Sequence, residues 1–340
     1  MLWDRWIVPR AGGPVFRALW AGLLLLALGS AAAPRPGRAA DPPWPAHPIS
    51  MVVAYPPGAI TDTVGRRIAE RLGAALGTTV VVENRAGAGG NVAAAFVARA
   101  PADGHTLLFT SYGNLIIAAA ADLQVGFHPW RDLTPVSMVG PMTVVMLVRP
   151  DQPFGTLQDF VRYASTHPGQ VNFASVGAGS SYHLLIEQMM AYGQLRMIHV
   201  PYRGGAAAMT DFLGGRVDAT LATWLFAKPY VTDGRARAIA VANGERSPVV
   251  PDLPTVNEII PGARLTDGLA ILAPAGTPAR VISRLNTALR EIIETPAMRD
   301  WLTQEGVTPR PGTPEQFTAE MLPVTEELRK LLQQAHIQLE

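Results

Sequence analysis

The alternation of short apolar segments with helical segments, separated by glycine-rich turns, limits the fold of this sequence more than any other feature. Ile49 to Ala54 is an apolar run that ends at the turn signal Tyr55-Pro-Pro-Gly58. From Val64 to Leu76 apolar residues recur every four positions, which predicts one buried helix face, and Gly77 suits the end of that helix. Another apolar run, Val80 to Val82, follows. This order predicts an α/β fold with a parallel sheet covered by helices on both faces.

The same alternation restarts after Pro150. We expect strands at 171–173, 198–200, 219–221, 238–241 and 269–272, and helices at 157–164, 181–192, 206–213 and from Pro278 onward. A last helix is expected to open at Thr313, with Gln316 at the capping-box position. Two βα modules of similar size predict two lobes, with a ligand cleft where loops leave the carboxyl ends of the strands.

The first forty residues have the order of an export signal. Basic residues precede the apolar run from Ala18 to Leu28, and small residues and a proline-rich stretch follow. The alternative, a membrane anchor, is disfavoured because the run is shorter than the ~20 apolar residues that a spanning helix needs. We therefore predict that residues 1–40 are a cleavable leader and that the protein is located in the periplasm. From Asp41 onward, acidic residues outnumber basic ones by three.

Composition excludes several functional classes. With 48% hydrophobic residues and a net charge of only +1, the chain is not disordered, and it has no basic excess for binding nucleic acid. It contains no cysteine, which excludes disulfides, thiolate metal sites and cysteine nucleophiles. Its seven histidines show no metal-ligand spacing, so we expect neither a metal nor a cofactor.

Two glycine-containing loops lie in the first half of the chain. In Tyr55–Asp62, Gly58 and Ala59 allow close approach of a ligand to the backbone, and Thr61 or Asp62 is expected to cap the following helix. Its free amides predict an anion site, the alternative being an ordinary capped turn. The second loop, Glu83–Asn91, lacks the third glycine of a dinucleotide fingerprint, and we interpret it as a structural turn.

A third loop, Ser175–His183, has small residues and hydroxyls that suit a carboxylate or phosphate. A hydrolase would use Ser180 as nucleophile and His183 as base, but the sequence lacks the nucleophile-elbow motif and offers no third member.

Aromatic and basic residues near the end of the second module are further candidates. Tyr202 and Arg203 either face the cleft or lie in a surface turn, whereas His199 is expected to be a hydrogen-bonded structural residue. Trp224 and Phe226 belong either to the core or to a cleft wall, and we expect Trp224 to face the cleft.

Eight short motifs in order carry a resemblance to a known family. They are Tyr55-Pro-Pro-Gly58 with Asp62, Val81–Gly90, Ala102–Leu108, Gly177–Leu184, His199–Gly204, Gly215–Asp218, Val250–Thr255 and Ala273–Pro278. The chain resembles the Bug family, the extracytoplasmic solute receptors of tripartite tricarboxylate transporters. The resemblance implies a type II periplasmic binding protein fold with crossovers near Val148 and Thr266. Lobe one would comprise residues 48–147 and 267–340, and lobe two residues 148–266.

In this family a ligand carboxylate lies between the first loop of lobe one and the Gly-Ser-Ser helix start of lobe two. The candidate ligand-binding residues, drawn from this resemblance and from the loops above, are Tyr55, Gly58, Ala59, Thr61, Asp62, Tyr112, Asn114, Ser175, Gly177, Gly179, Ser180, Ser181, His183, Tyr202, Thr223 and Trp224. Among them, Tyr55, Tyr112 and Trp224 could stack on a ring. Thr223 stands where many members carry an aspartate that receives a ligand amine, which favours an unaminated carboxylate.

These observations predict a receptor rather than an enzyme. The expected partners are a small organic carboxylate and the permease subunits of a tripartite tricarboxylate-type transporter, with no nucleic acid, and we expect a monomer. A receptor that senses its ligand for a signalling partner is the alternative, and a secreted serine hydrolase is disfavoured.

Overall fold

The computed structural model describes residues 43–334, so the expected leader lies outside the described residues. From Pro45 onward the described chain forms one compact unit. It contains two five-stranded sheets with helices packed on them. Among the described helices, none has both the length and the apolar character required to cross a membrane.

The first sheet has the strand order β2-β1-β3-β10-β4. Its strands are β1 (Ile49–Val53), β2 (Val80–Asn84), β3 (Thr106–Ser111), β4 (Leu133–Pro141) and β10 (Gly268–Pro274). β1 pairs in parallel with β2 and β3, as expected, whereas β10 is antiparallel to both β3 and β4. The predicted parallel pairing therefore holds for β1, β2 and β3 but not for β10. The reason is that β10 returns from the second sheet and enters beside the end of β3, where Leu269 pairs with Ser111.

The second sheet has the order β7-β6-β8-β5-β9. Its strands are β5 (Val144–Val148), β6 (Asn172–Ser175), β7 (Ile198–Pro201), β8 (Ala219–Thr223) and β9 (Arg237–Val241). β6 is parallel to β7 and β8, and β5 is antiparallel to β8 and β9. β5 also enters beside the end of its neighbour, since Val144 pairs with Thr223 of β8. Each sheet thus receives its antiparallel strand at a carboxyl edge.

The helices follow most of the periodic segments of the sequence. They are α1 (Ile60–Leu76), α2 (Asn91–Ala98), α3 (Tyr112–Ala120), α4 (Pro129–Asp132), α5 (Leu157–Thr166), α6 (Ser181–Gly193), α7 (Gly205–Leu213), α8 (Trp224–Thr232), α9 (Val256–Ile259), α10 (Ala279–Glu294), α11 (Pro296–Gln304) and α12 (Pro314–Gln334). Gly77 ends α1 in a left-handed conformation with φ 68°, as predicted. The capping box before α12 is confirmed, because the Thr313 amide donates to Gln316 Oε1 at 2.8 Å and the Gln316 amide to Thr313 Oγ1 at 3.2 Å.

The chain changes sheet at two segments that lie side by side. The first change falls between Pro141 and Val144. Residues 144–147, which we expected in lobe one, therefore belong to the second sheet, since β5 pairs with β8 and β9 along its whole length. The second change falls after Leu265, whose amide still bonds to Ala242 O in the second half at 2.8 Å. The Met142 amide donates to Asp267 O at 3.3 Å and joins the two segments.

Each sheet has its own apolar core. In the second, Phe160 lies edge-on to Phe154 and Phe173, with ring centroids 5.2 and 6.1 Å apart. In the first, Leu108 and Ala270 pack with Phe317 of α12. Burial of such side chains contributes about 1.5–3 kcal/mol each, which holds the strand ends, and the loops they carry, in place. We propose that each sheet, with its core, forms one lobe of the protein.

Candidate functional site

The loop that leaves β1 places free backbone amides at the start of α1. Ala59 is the N-cap residue, with φ −68° and ψ 157°, and no side chain caps the helix. The prediction that Thr61 or Asp62 caps it is therefore wrong. The Pro56–Gly58 turn, closed by the Ala59 amide on Pro56 O at 3.2 Å, starts the helix earlier and leaves both residues inside its first turn. Within residues 43–334, the amides of Ile60 and Thr61 have no hydrogen-bond partner.

Asp62 holds this loop in shape. Its buried carboxylate accepts hydrogen bonds from the Gly58 amide at 2.9 Å, Asn84 Nδ2 at 2.8 Å and Arg66 Nε at 3.1 Å. Burial alone would raise the pKa of Asp62, but the bonds from Arg66, Gly58 and Asn84 outweigh it and lower the pKa below its usual value. The carboxylate is thus ionised, and its hydrogen bonds go to protein groups that shape the loop.

The turn between β6 and α6 provides a second group of free amides. Ser180 is the N-cap of α6: its Oγ accepts from the His183 amide at 3.2 Å and donates to Gly177 O at 2.6 Å. Gly177 and Gly179 have φ values of 138° and 72°, a conformation that side chains disfavour. Among the described residues, nothing accepts a hydrogen bond from the amides of Ser181 and Tyr182.

Two histidines support this turn. The His183 imidazole accepts a hydrogen bond from the Gly179 amide at Nδ1, 3.1 Å away, and stacks on the His199 ring with centroids 3.9 Å apart. His199 Nε2 lies 2.6 Å from Ser175 Oγ, which confirms His199 as a hydrogen-bonded structural residue. Burial, together with the neighbouring His183, lowers the pKa of His199 to about 4.

Asp267, which the sequence analysis missed, joins the two sheets. Its buried carboxylate accepts from Ser111 Oγ at 2.5 Å, the Gly113 amide at 3.1 Å and the Gly268 amide at 2.8 Å, all of the first half, and from Ser181 Oγ of α6 at 3.3 Å. Burial raises the pKa of Asp267, while these bonds oppose the rise. The only sequence signal was an acid directly before the apolar run of β10.

Three tyrosines lie close enough to this carboxylate for its charge to act on them. Tyr55 is fixed, since its hydroxyl donates to Gly89 O at 3.1 Å and accepts from Asn114 Nδ2 at 2.8 Å. Tyr112 and Tyr182 are buried, and in the described part of the chain their hydroxyls have no hydrogen-bond partner. Burial first, and then the charge of Asp267, raises the pKa of all three phenols. They are therefore protonated donors at neutral pH, and Tyr182 is a second residue that the sequence analysis missed.

The two halves of the predicted site are close to each other at this point. The pKa of Tyr182, in the first turn of α6, is also raised by Tyr55 of the first loop, an effect that requires proximity. The structure thus brings Tyr55, Tyr112 and Asn114 together with Ser181 around Asp267.

The remaining candidates lie within the second half. The Tyr202 hydroxyl donates to Asp211 Oδ2 at 2.9 Å, so that group is already engaged. Trp224 follows Thr223 at the end of β8, is half-buried against the second-half apolar cluster, and its amide donates to Thr143 O at 2.8 Å. Phe226 is exposed and packs edge-on against Tyr230, whereas Arg203 is exposed and makes no ion pair within residues 43–334. Contact of Tyr202, Thr223 and Trp224 with a ligand remains a prediction.

Residues 64–333 match the model of the tripartite tricarboxylate transporter family receptor, over most of the chain. The chain belongs to this family. The protein BugT of Bordetella pertussis is a relative with 34% identity over 80% of this chain and 84% of BugT. The resemblance to Bug-type receptors is therefore confirmed.

Solved structures agree with this family membership. Rpa4515 of R. palustris with adipate superposes with a TM-score of 0.79 and 29% identity, covering 87% of this chain and 99% of that one. MatC of Rhodopseudomonas palustris with bound malate gives a TM-score of 0.73 and 32% identity, covering 84% and 100%. The predicted periplasmic binding protein fold is thus confirmed, and the chain is a solute receptor of the tripartite tricarboxylate type.

Proposed function

We propose that this receptor binds a small organic carboxylate between the Tyr55–Asp62 loop and the first turn of α6, and delivers it to the permease subunits of a tripartite tricarboxylate-type transporter. The observation that carries the proposal is the pair of helix starts with unpaired amides, Ile60 and Thr61 on one and Ser181 and Tyr182 on the other. A helix N-terminus presents donors and a partial positive charge, so each start favours an anionic group.

The chemistry around the two helix starts supports a carboxylate in particular. The donors are amides and neutral hydroxyls, and the nearby guanidinium of Arg66 is bound to Asp62. Such a site binds a planar group with one negative charge through hydrogen bonds, without a positively charged side chain as its partner. The adipate and malate held by the two solved structures are dicarboxylates, and each carries two such groups.

We propose further that the protein is not an enzyme. The Ser180 hydroxyl donates to Gly177 O, and the two imidazole nitrogens of His183 face the Gly179 amide and Glu187 Oε1. No hydrogen bond joins Ser180 Oγ to that imidazole among the described contacts, although a nucleophile and its base need one. A Ser180→Ala variant is expected to bind carboxylate more weakly, and no ester hydrolysis above background is expected from either protein.

Export and delivery to a permease are also part of the proposal. The charged, apolar and small-residue order at the start of the sequence supports a periplasmic location. The receptor would act as a monomer that closes on its ligand, with binding energy favouring the closed state.

The test is a thermal-shift panel on residues 41–340 after unfolding and refolding to remove bound ligand. We expect malate or adipate at about 100 times its Kd to add about 2.7 kcal/mol of stability. Dimethyl adipate, which keeps the length and removes the charge, is the matched negative control. The proposal would be refuted if only sugars or phosphate esters stabilised the protein, or if no carboxylate stabilised it.

A further inference from the structure

We propose that His183 is a positioning residue for ligand binding: its neutral imidazole fixes the Gly179 amide, and ligand affinity falls when that imidazole takes up a proton. This inference rests on the proposed function, because it assumes that the turn between β6 and α6 contributes to the ligand site.

The contacts of His183 define its tautomer. The Gly179 amide donates to Nδ1 at 3.1 Å, so Nδ1 carries a lone pair. In a neutral imidazole the proton is then on Nε2, which lies 3.3 Å from Glu187 Oε1. The ring is buried and neutral in this arrangement. Protonation of Nδ1 would place two donors face to face and break the bond to Gly179.

His199 supports the other end of the same turn. Its Nε2 lies 2.6 Å from Ser175 Oγ, and Ser175 Oγ accepts from the Gly177 amide at 3.2 Å. The His183 and His199 rings stack at 3.9 Å with an angle of 11° between their planes. Two cationic rings at this separation would repel each other, so the stack favours at most one charge. Because the pKa of His199 is lowered to about 4, His199 remains neutral under mildly acidic conditions.

The charged and titratable groups around His183 are few. Glu187 lies on the same helix, and β7, which packs against α6, contributes the stacked His199 ring. Asp267 contacts α6 through Ser181, and Arg264 through its own amide on Gln188 Oε1. Glu187 would pair with an imidazolium, so the proton has a stabilising partner while the turn loses its bond.

Loss of the bond between His183 and the Gly179 amide would affect ligand binding through the backbone. Gly179 has φ 72° and stands two residues before Ser181, whose free amide belongs to the candidate anion site. Loss of a single neutral hydrogen bond corresponds to about a threefold to tenfold change in affinity. A proton on His183 Nδ1 would therefore weaken ligand binding by this amount.

The first experiment needs no ligand. Nitrogen-15 NMR of residues 41–340 reports the imidazole tautomer of His183 and the amide resonance of Gly179 as the pH falls from 8 to 5. We expect the Nε2-protonated tautomer at pH 8, and a Gly179 shift with the same midpoint as the His183 ring. The inference would be overturned if the neutral ring were protonated at Nδ1. It would also be overturned if the Gly179 amide resonance did not shift with the protonation of His183, even if the protein binds carboxylates.

The second experiment measures affinity for malate by calorimetry over the same pH range. His183→Asn places an amide oxygen near the position of Nδ1 and does not titrate, whereas His183→Leu removes the acceptor. We expect the wild type to weaken by about threefold to tenfold in acid relative to His183→Asn. His183→Leu is expected to bind more weakly than His183→Asn at every pH.

Malate's own titration is common to all variants, so the differences between them report on the protein. His167→Asn, at the end of α5, is the matched control and should keep the wild-type profile. Parallel pH profiles for wild type and His183→Asn would overturn the inference. Absence of malate binding in every protein would count against the proposed ligand class, and the NMR result would then decide the role of His183 alone.

Discussion

The Ser181 hydroxyl donates a hydrogen bond to the Asp267 carboxylate at 3.3 Å, and this contact joins the first turn of α6 to the residue that precedes β10. The same carboxylate is bound by Ser111 and Gly113 at the start of α3. One buried acid thus connects the starts of two helices that belong to different sheets, close to the point where the chain crosses between them.

Removal of this acid is expected to destabilise the protein strongly. Asp267→Ala leaves the Ser111 hydroxyl and the Gly113 and Gly268 amides buried without an acceptor, which should lower the free energy of unfolding by about 3–5 kcal/mol. Asp267→Asn keeps one acceptor oxygen, so its free energy of unfolding should fall clearly less. Urea unfolding at pH 7 measures both, with Asp233→Ala, an exposed acid paired with Arg235, as control. Equal losses for the alanine and asparagine variants would contradict this role.

The stability of the protein should depend on pH through His199. Its pKa is about 4 in the folded protein against 6.5 for the ordinary group, so between these values the unfolded chain binds more protons. This contribution to stability is fully present above about pH 6.5 and is lost as the pH falls toward 4. His199→Gln should show a shallower decline of the urea midpoint over that range, and His167→Gln should not. A decline of the same slope in His199→Gln and wild type would count against the burial of this ring.

The Tyr182 hydroxyl should matter for binding and hardly at all for stability. It has no hydrogen-bond partner within residues 43–334, so Tyr182→Phe removes no bond of the folded protein. If the hydroxyl donates to the ligand, the variant should bind malate about threefold to tenfold more weakly with an unchanged unfolding temperature. Tyr163→Phe, in α5, is the matched control for calorimetry. Wild-type affinity in Tyr182→Phe would remove this phenol from the site.

The Asp62 carboxylate should stabilise the conformation of the first loop, Tyr55–Asp62. Asp62→Ala leaves the Gly58 amide and Asn84 without their acceptor and should cost about 1–3 kcal/mol of stability together with affinity for the ligand. Faster hydrogen exchange at Gly58 would show that the loop has loosened. Glu70→Ala, at an exposed position on the same helix, should change neither quantity, and an Asp62→Ala protein that binds like wild type would show that the loop is held by other contacts.

The ligand should lack an amine. Thr223 offers no charge to an ammonium group at the end of β8, so malate should stabilise the protein more than aspartate in a thermal-shift assay. Thr223→Asp should narrow the difference by adding an acceptor. Tight binding of aspartate by the wild type would refute this prediction.

Local features of the sequence predicted local structure well. Gly77 ends α1, and Thr313 with Gln316 forms the capping box of α12, because both depend on residues within a few positions of each other. The loops of the candidate site follow strands for the same reason: a turn signal directly after an apolar run marks where a strand ends. The eight ordered motifs then gave the family, which the comparison confirms.

Features that depend on distant parts of the chain were missed. Strands β4 and β5 adjoin in a long apolar stretch in which periodicity does not separate strand from helix. Asp267 and Ser111 are 156 positions apart, and nothing in either neighbourhood points to the other. The Nδ1 acceptor role of His183 depends on the geometry of the turn, which residue types alone do not determine.

The two segments on which the chain crosses between the sheets touch at the Met142 amide and Asp267 O. Two adjacent backbone segments form a hinge that allows rotation about one axis and opposes twisting about others. In the closure that we propose, the α6 amides would approach the α1 amides along a single arc, and a longer diacid would stop that approach earlier than a shorter one. The angle at which the receptor closes would therefore depend on the length of the ligand that it carries.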